Sequence, residues 1–120
     1  MHTMKPIAIK DLSENFFEVI GKEWMLVTAG NKDHFNTMTA SWGGVGYIWE
    51  RPSTFIFIRD TRYTYQFLQQ HESFTLSFFN EKYRNALRIC GTMSGRNTDK
   101  VKEAGLTPME TPSGLMSFEE

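Results

Sequence analysis

Thr37, Thr39 and Ser41 stand at alternate positions and are followed by Gly43, Gly44 and Gly46. On an extended chain alternate side chains share a face, so these hydroxyls form a row of short donors running into bare backbone. Such a row suits a flat, anionic, oxygen-rich ligand, and it equally suits a solvated Thr/Ser face entering a glycine turn. A second group lies at Arg59–Thr64, reading RDTRYT. Arg59 and Arg62 offer charge-assisted donors and Thr64 a hydroxyl. Where a strand ends and a helix begins, unpaired N–H groups and the helix dipole also favour an anion. Asp60 opposes that use unless it or Thr61 caps the helix. The plainer reading pairs Asp60 with Arg59 and leaves Arg62 on the surface.

The remaining reactive side chains carry less. Cys90 follows an apolar helical stripe with Leu87 and has no histidine or second cysteine nearby, so it reads as a buried structural thiol rather than a redox nucleophile. Lys100, beside Asp99, reads as a solvated helix face. His2, His34 and His71 have no metal-ligand spacing, and no zinc pattern occurs. Gly43-Gly44-Val45-Gly46 lacks the third glycine and the strand–helix–strand setting of a dinucleotide fingerprint. No phosphate loop, nucleophile elbow or carboxylate dyad is visible.

The elements that must position these groups follow from periodicity. Asn36–Trp42 reads as a strand, with Met38, Ala40 and Trp42 facing the interior. It pairs as a hairpin with Trp24–Ala29 across the turn Gly30–Asp33. A short helix is expected over Asp11–Ile20, capped by Asp11 or Ser13, striped by Phe16, Phe17 and Ile20, and closed at Gly21. Val45–Trp49 is a short strand, and Thr54–Ile58 a central one because it is almost continuously apolar. Helices are expected at Arg62–Gln70, Tyr83–Cys90 and Asn97–Ala104, with a strand at Ser73–Phe79 and a loop at Gly91–Gly95. The tail after Thr107 supplies at most one further strand, interrupted by Pro108, Pro112 and Gly114.

Bulk properties narrow the class. With 120 residues the chain reads as one domain, residues 1–120, able to bury roughly two-thirds of its unfolded surface. A net charge of −1 from 13 basic and 14 acidic residues, with no basic block, argues against a nucleic-acid partner. The single cysteine excludes an internal disulfide and fits a reducing compartment. No signal-like or membrane-spanning apolar run occurs. A cytoplasmic location without membrane attachment is the expectation.

The run Asn36–Gly46 resembles the signature N-x-M-T-A-S-W-G-G-x-G of the flavin reductase-like family of FMN-binding split barrels. Matches continue in order at Arg59–Thr64, Phe74–Phe79, Cys90–Arg96, Asp99-Lys100 and Gly105–Pro108, so the resemblance spans about Trp24 to Pro108. It implies a mainly β fold, a barrel with short helices, which here lacks the family's C-terminal strands beyond Glu120. It implies non-covalent FMN, with NADH or NADPH as electron donor. By the same resemblance the backbone around Thr39–Trp42 takes the isoalloxazine edge, with Met38, Ala40 and Ser41 beside it. Arg59, Arg62 and Thr64 take the phosphate, Tyr63 is a further cofactor-binding residue, and the loop with Cys90, Gly91 and Ser94 forms a wall. Lys100 approaches the cofactor.

The resulting expectation is a homodimeric NAD(P)H-dependent flavin reductase, an oxidoreductase with no catalytic acid or base of its own. Hydride transfer to a flavin needs orientation and stacking more than a titrating group. Two alternatives stand beside it. One is an FMN-binding electron-transfer or carrier protein without efficient nicotinamide oxidation. The other is a cofactor-free domain kept for association.

Overall fold

The computed structural model describes residues 5–120. Its centre is a three-stranded antiparallel sheet in the order β2-β1-β5, with β1 Met25–Gly30, β2 Phe35–Ala40 and β5 Phe74–Ser77. The expected hairpin is present, with Leu26 opposite Thr39 and Thr28 opposite Thr37. Its turn is closed by Asn31 Oδ1, which accepts from the backbone N–H of Asp33 and of His34, both at 3.0 Å. Every residue of β1 is buried, because both faces of the sheet are covered.

One face, carrying Leu26, packs on Leu87, Cys90, Leu106 and Phe118. The other, carrying Met25, Val27 and Met38, packs on Ile20, Ile56, Leu68 and Phe74. This double cover changes the meaning of the hydroxyl row. Thr37 is wholly buried: its Oγ1 donates to the Val27 carbonyl at 3.2 Å and meets Thr28 Oγ1 at 2.9 Å. A sheet covered on one face was expected from the alternation, but threonine is also a good interior β residue once its hydroxyl finds a partner.

Two hairpins flank this sheet. β3 Gly43–Ile48 pairs with β4 Arg51–Ile56, and β6 Pro108–Glu110 pairs with β7 Met116–Phe118. Thr54–Ile58 is therefore not a central strand. Its first residues belong to β4, whose partner among the described residues is β3 alone, and Phe55 and Phe57 stay exposed. Pro52 fits there because β4 is an edge. The tail yields two strands rather than one, turning at Gly114 (φ 85°), and Phe118 is driven into the core at 1% exposure. Side chains fasten β7 beside β5: Thr75 Oγ1 donates to the Met116 carbonyl at 2.7 Å, and Ser77 Oγ lies 3.2 Å from Ser117 Oγ.

The helices depart in detail from their expected spans. A 3₁₀ turn covers Ile9–Asp11, and α1 is Phe16–Glu18, continuing as a π turn over Val19–Glu23. Asn15, not Asp11 or Ser13, caps α1 by accepting from Phe17 N–H at 3.1 Å. The π turn changes the period, so Val19 and Ile20 are buried and Phe17 is 92% exposed. Gly21 lies inside the turn, which ends at Trp24 (φ 70°). α2 is Tyr63–Gln70, α3 Arg84–Thr92 and α4 Lys100–Ala104. α4 is capped by Asp99 and closed by left-handed Gly105 (φ 73°), as its glycine foretold.

Candidate functional site

β2 ends at Ala40 and β3 starts at Gly43, so Ser41 and Trp42 cross between two sheets without a ladder partner. A cleft of about 180 Å³ opens there, lined by Met38, Thr39, Ala40, Ser41, Trp42, Phe57, Arg59 and Arg62. Thr39 and Ser41 of the first group singled out in the sequence thus meet Arg59 and Arg62 of the second at one place. Trp42 is not core. It is 62% exposed, and the Arg59 guanidinium carbon lies 5.9 Å from its ring centroid. Phe57 was read only as part of a strand; its position in the cleft follows from the hairpin, which periodicity does not reveal.

The arginines are free of carboxylates. Among the described residues the ion pair present is Lys22–Glu18, far from this site in sequence, so Asp60 does not neutralise Arg59. Nor does Asp60 or Thr61 cap α2. The N-cap is Arg62, with no side-chain cap hydrogen bond. Burial, and secondarily the like charge of Arg59, lowers the Arg62 pKa from its ordinary value. Arg62 Nη2 donates to the Gly91 carbonyl at 3.3 Å, so it binds the end of α3 as well as facing the cleft. Arg96, absent from the expected set and from the cleft lining, packs at the start of α2: its guanidinium lies 5.0 Å from the Tyr63 ring, and Nη1 donates to the Thr61 carbonyl at 3.5 Å.

Several expected residues spend their polar groups on the protein itself, Thr39 among them although it also lines the cleft. Thr39 Oγ1 donates to the Leu87 carbonyl, so that hydroxyl is occupied by α3. Thr64 is wholly buried and accepts from Asn36 Nδ2 at 2.7 Å. Gly91 belongs to α3 rather than to a loop, and a Cβ on it would come within 3.1 Å of Thr39 Cβ. Its lack of a side chain lets α3 sit closely on β2. Ser94 Oγ accepts from Arg96 N–H at 3.2 Å.

Cys90 is buried, as its apolar stripe indicates, and burial pushes its thiol up to about 11 despite nearby Lys100. Its thiol is sealed from the cleft. Lys100 is not on a solvated face: it is 3% exposed, and Nζ donates to the Cys90 and Met93 carbonyls at 3.0 and 3.2 Å. Desolvation lowers its pKa to about 8. The amphipathic look of a short helix could not show that a lysine would turn inward to carbonyls of the preceding helix.

A split, mainly β architecture with short helices, open at a hairpin beside a cationic cleft, is a partial split barrel. The chain belongs to the flavin reductase like domain family, which it matches over residues 19–120. No curated protein matches it in sequence. Among solved structures it is similar to flavoredoxin of Desulfovibrio vulgaris (Miyazaki F), with TM-score 0.74 and 26% identity over 98% of this chain and 62% of that one. An FMN-binding domain of a flavin reductases-like enzyme from Shewanella baltica OS155 shares the fold at TM-score 0.73 and 17% identity, over 86% of this chain and 55% of that one. Nitrilotriacetate monooxygenase component B from Bacillus cereus does so at TM-score 0.62 and 17% identity, over 99% and 64%. The chain therefore spans about 55–64% of the length of these structures.

Proposed function

We propose that this chain binds FMN non-covalently and acts as an NAD(P)H-dependent flavin reductase. The observation that carries the reading is the cleft itself: ladder-free backbone at Ser41 and Trp42 lies beside two unneutralised guanidinium groups. Free backbone N–H and C=O groups suit the pyrimidine edge of a flavin, and Arg59 and Arg62 suit its phosphate. Met38 and Trp42 supply apolar contact. Bound flavin would supply the hydride chemistry, and the protein would hold and orient it.

At about 180 Å³ the cleft is smaller than the roughly 300–1,000 Å³ of small-molecule sites, so it covers part of an FMN molecule. A second reading follows from that shallowness: a largely exposed flavin could exchange electrons with a protein partner without efficient nicotinamide oxidation. Visible spectra taken before and after anaerobic addition of NADH and NADPH decide among these. A yellow protein bleached by either nucleotide supports the reductase; a yellow protein that neither bleaches supports the carrier. A colourless protein that takes up no added FMN defeats both and leaves an association domain.

The exposed Trp42, Tyr47, Trp49, Phe55 and Phe57 of the β3–β4 region support a homodimer, with this apolar surface between the copies. No helix among the described residues is long and apolar enough to cross a membrane. The cytoplasm is the proposed location.

A further inference from the structure

We infer that Asn36 is a positioning residue that locks two separate arginine-bearing segments onto β2. The inference rests on the FMN reading above and assigns to Asn36 the geometry of its phosphate end. Asn36 is 7% exposed and lies on the sheet face that otherwise carries Val27 and Met38. A buried amide among apolar groups is costly unless its hydrogen bonds are made, so its partners define one arrangement strongly. The first partner is Thr64 on α2, whose hydroxyl accepts from Asn36 Nδ2 at 2.7 Å. Thr64 is wholly buried, and Arg62 precedes it by two residues at the start of that helix.

The second contact is steric rather than a hydrogen bond: the Gly95 backbone packs against the Asn36 amide. A Cβ on residue 95 would overlap Asn36 Oδ1 and would come within 3.1 Å of the Tyr63 ring. Only a glycine lets the Ser94–Arg96 segment seat this closely. That seat places Arg96 over Tyr63 and against the Thr61 carbonyl. One amide thus hydrogen-bonds the first turn of α2, with Arg62, and packs against the neighbouring loop, with Arg96. Neither arginine touches Asn36, which acts through the segments that carry them.

The test compares FMN and riboflavin affinities of the full chain with those of Asn36→Ala and Gly95→Ala. Amide hydrogen exchange is followed at Tyr63–Tyr65 and Ser94–Arg96, with β1 as the fold control. Both variants should speed exchange at both segments and leave β1 protected. Both should also lower the preference for FMN over riboflavin by about tenfold, the loss carried by one charge-assisted hydrogen bond. Faster exchange with an unchanged preference would overturn the inference, and so would unchanged exchange at either segment. If the wild-type chain binds neither flavin, the FMN reading fails and exchange alone judges the lock: faster rates at both segments uphold it, and unchanged rates in Asn36→Ala refute it.

Discussion

Lys100 Nζ donates to the Cys90 carbonyl at 3.0 Å, so a buried cation on α4 caps the C-terminal end of α3 beside a buried thiol. Two carbonyls that the helix cannot satisfy, those of Cys90 and Met93, find their partner in this one ammonium. Lys100→Met keeps the aliphatic stem but strands both acceptors. It should lower stability by about 1–3 kcal/mol in denaturant titration. FMN and riboflavin affinities should fall together, since Lys100 holds the helix rather than a phosphate. Selective loss of FMN would instead make Lys100 a direct phosphate partner.

The same pair gives a pH signature. Lys100 titrates near 8 in the fold, against 10.5 ordinarily. Between those values the unfolded chain binds the extra proton, so stability rises with pH. Cys90 titrates near 11, against 9.0 ordinarily. Over that window the unfolded chain sheds a proton which the fold retains, so stability falls. The two trends oppose each other where they overlap. Subtracting the Cys90→Ala stability curve from that of the wild type isolates the thiol, and the difference should decline from pH 9.0 to about 11. A flat difference would mean that the thiol is not desolvated.

At the cleft, Arg59 and Arg62 should behave differently. Arg59 is exposed and, among the described residues, bonded to no carbonyl or carboxylate, whereas Arg62 also holds the Gly91 carbonyl. Arg59→Ala should weaken FMN binding by about 1.5–3 kcal/mol while leaving riboflavin binding and thermal stability nearly unchanged. Arg62→Ala should add a stability loss. Calorimetric titration with both flavins checks this, and equal losses for FMN and riboflavin would remove the phosphate from Arg59.

What was legible in the sequence, and what was not, divides along physical lines. The β1–β2 hairpin was readable because its alternation and its turn agree, and the Gly105 stop because a left-handed residue ends a helix. The meeting of the strand end with Arg59 and Arg62 came through resemblance; periodicity holds no information on which hairpin folds over which sheet. The interior partners of Thr37, Thr39 and Lys100 were not legible for one reason. Polarity in a sequence does not show whether a group meets solvent, ligand or protein, and here each polar atom meets a carbonyl in the interior.

That correction changes what the hydroxyls should do. Thr39→Val removes the donor to the Leu87 carbonyl and leaves that acceptor part-buried without its partner. The apo protein should lose about 1–3 kcal/mol of stability. Ser41→Ala, at the ladder-free crossing, should leave apo stability unchanged and act on flavin affinity alone. Thermal melts with and without FMN separate the two. An apo melting point for Thr39→Val equal to the wild type would return its hydroxyl to the ligand.

The last prediction concerns the tip of the β3–β4 hairpin. Ile48 pairs with Arg51, so Trp49 and Glu50 form a two-residue turn, with φ of 48° and 62°. Such turns favour Asn-Gly, and positive φ strains other residues by about 1–3 kcal/mol each. Here the strain holds a tryptophan that is 93% exposed, in a region that also leaves Tyr47, Phe55 and Phe57 exposed. Water alone gives no return for this arrangement, whereas an apolar partner surface does. A second copy of the chain should cover it, with an interface of the obligate kind above about 2,000 Å² in total. Replacing Trp49→Asn together with Glu50→Gly relieves the turn and deletes the tryptophan. The hairpin should persist while sedimentation shows the dimer shifting toward monomer at micromolar concentration. A wild-type chain that already sediments as a stable, FMN-bound monomer would end this reading.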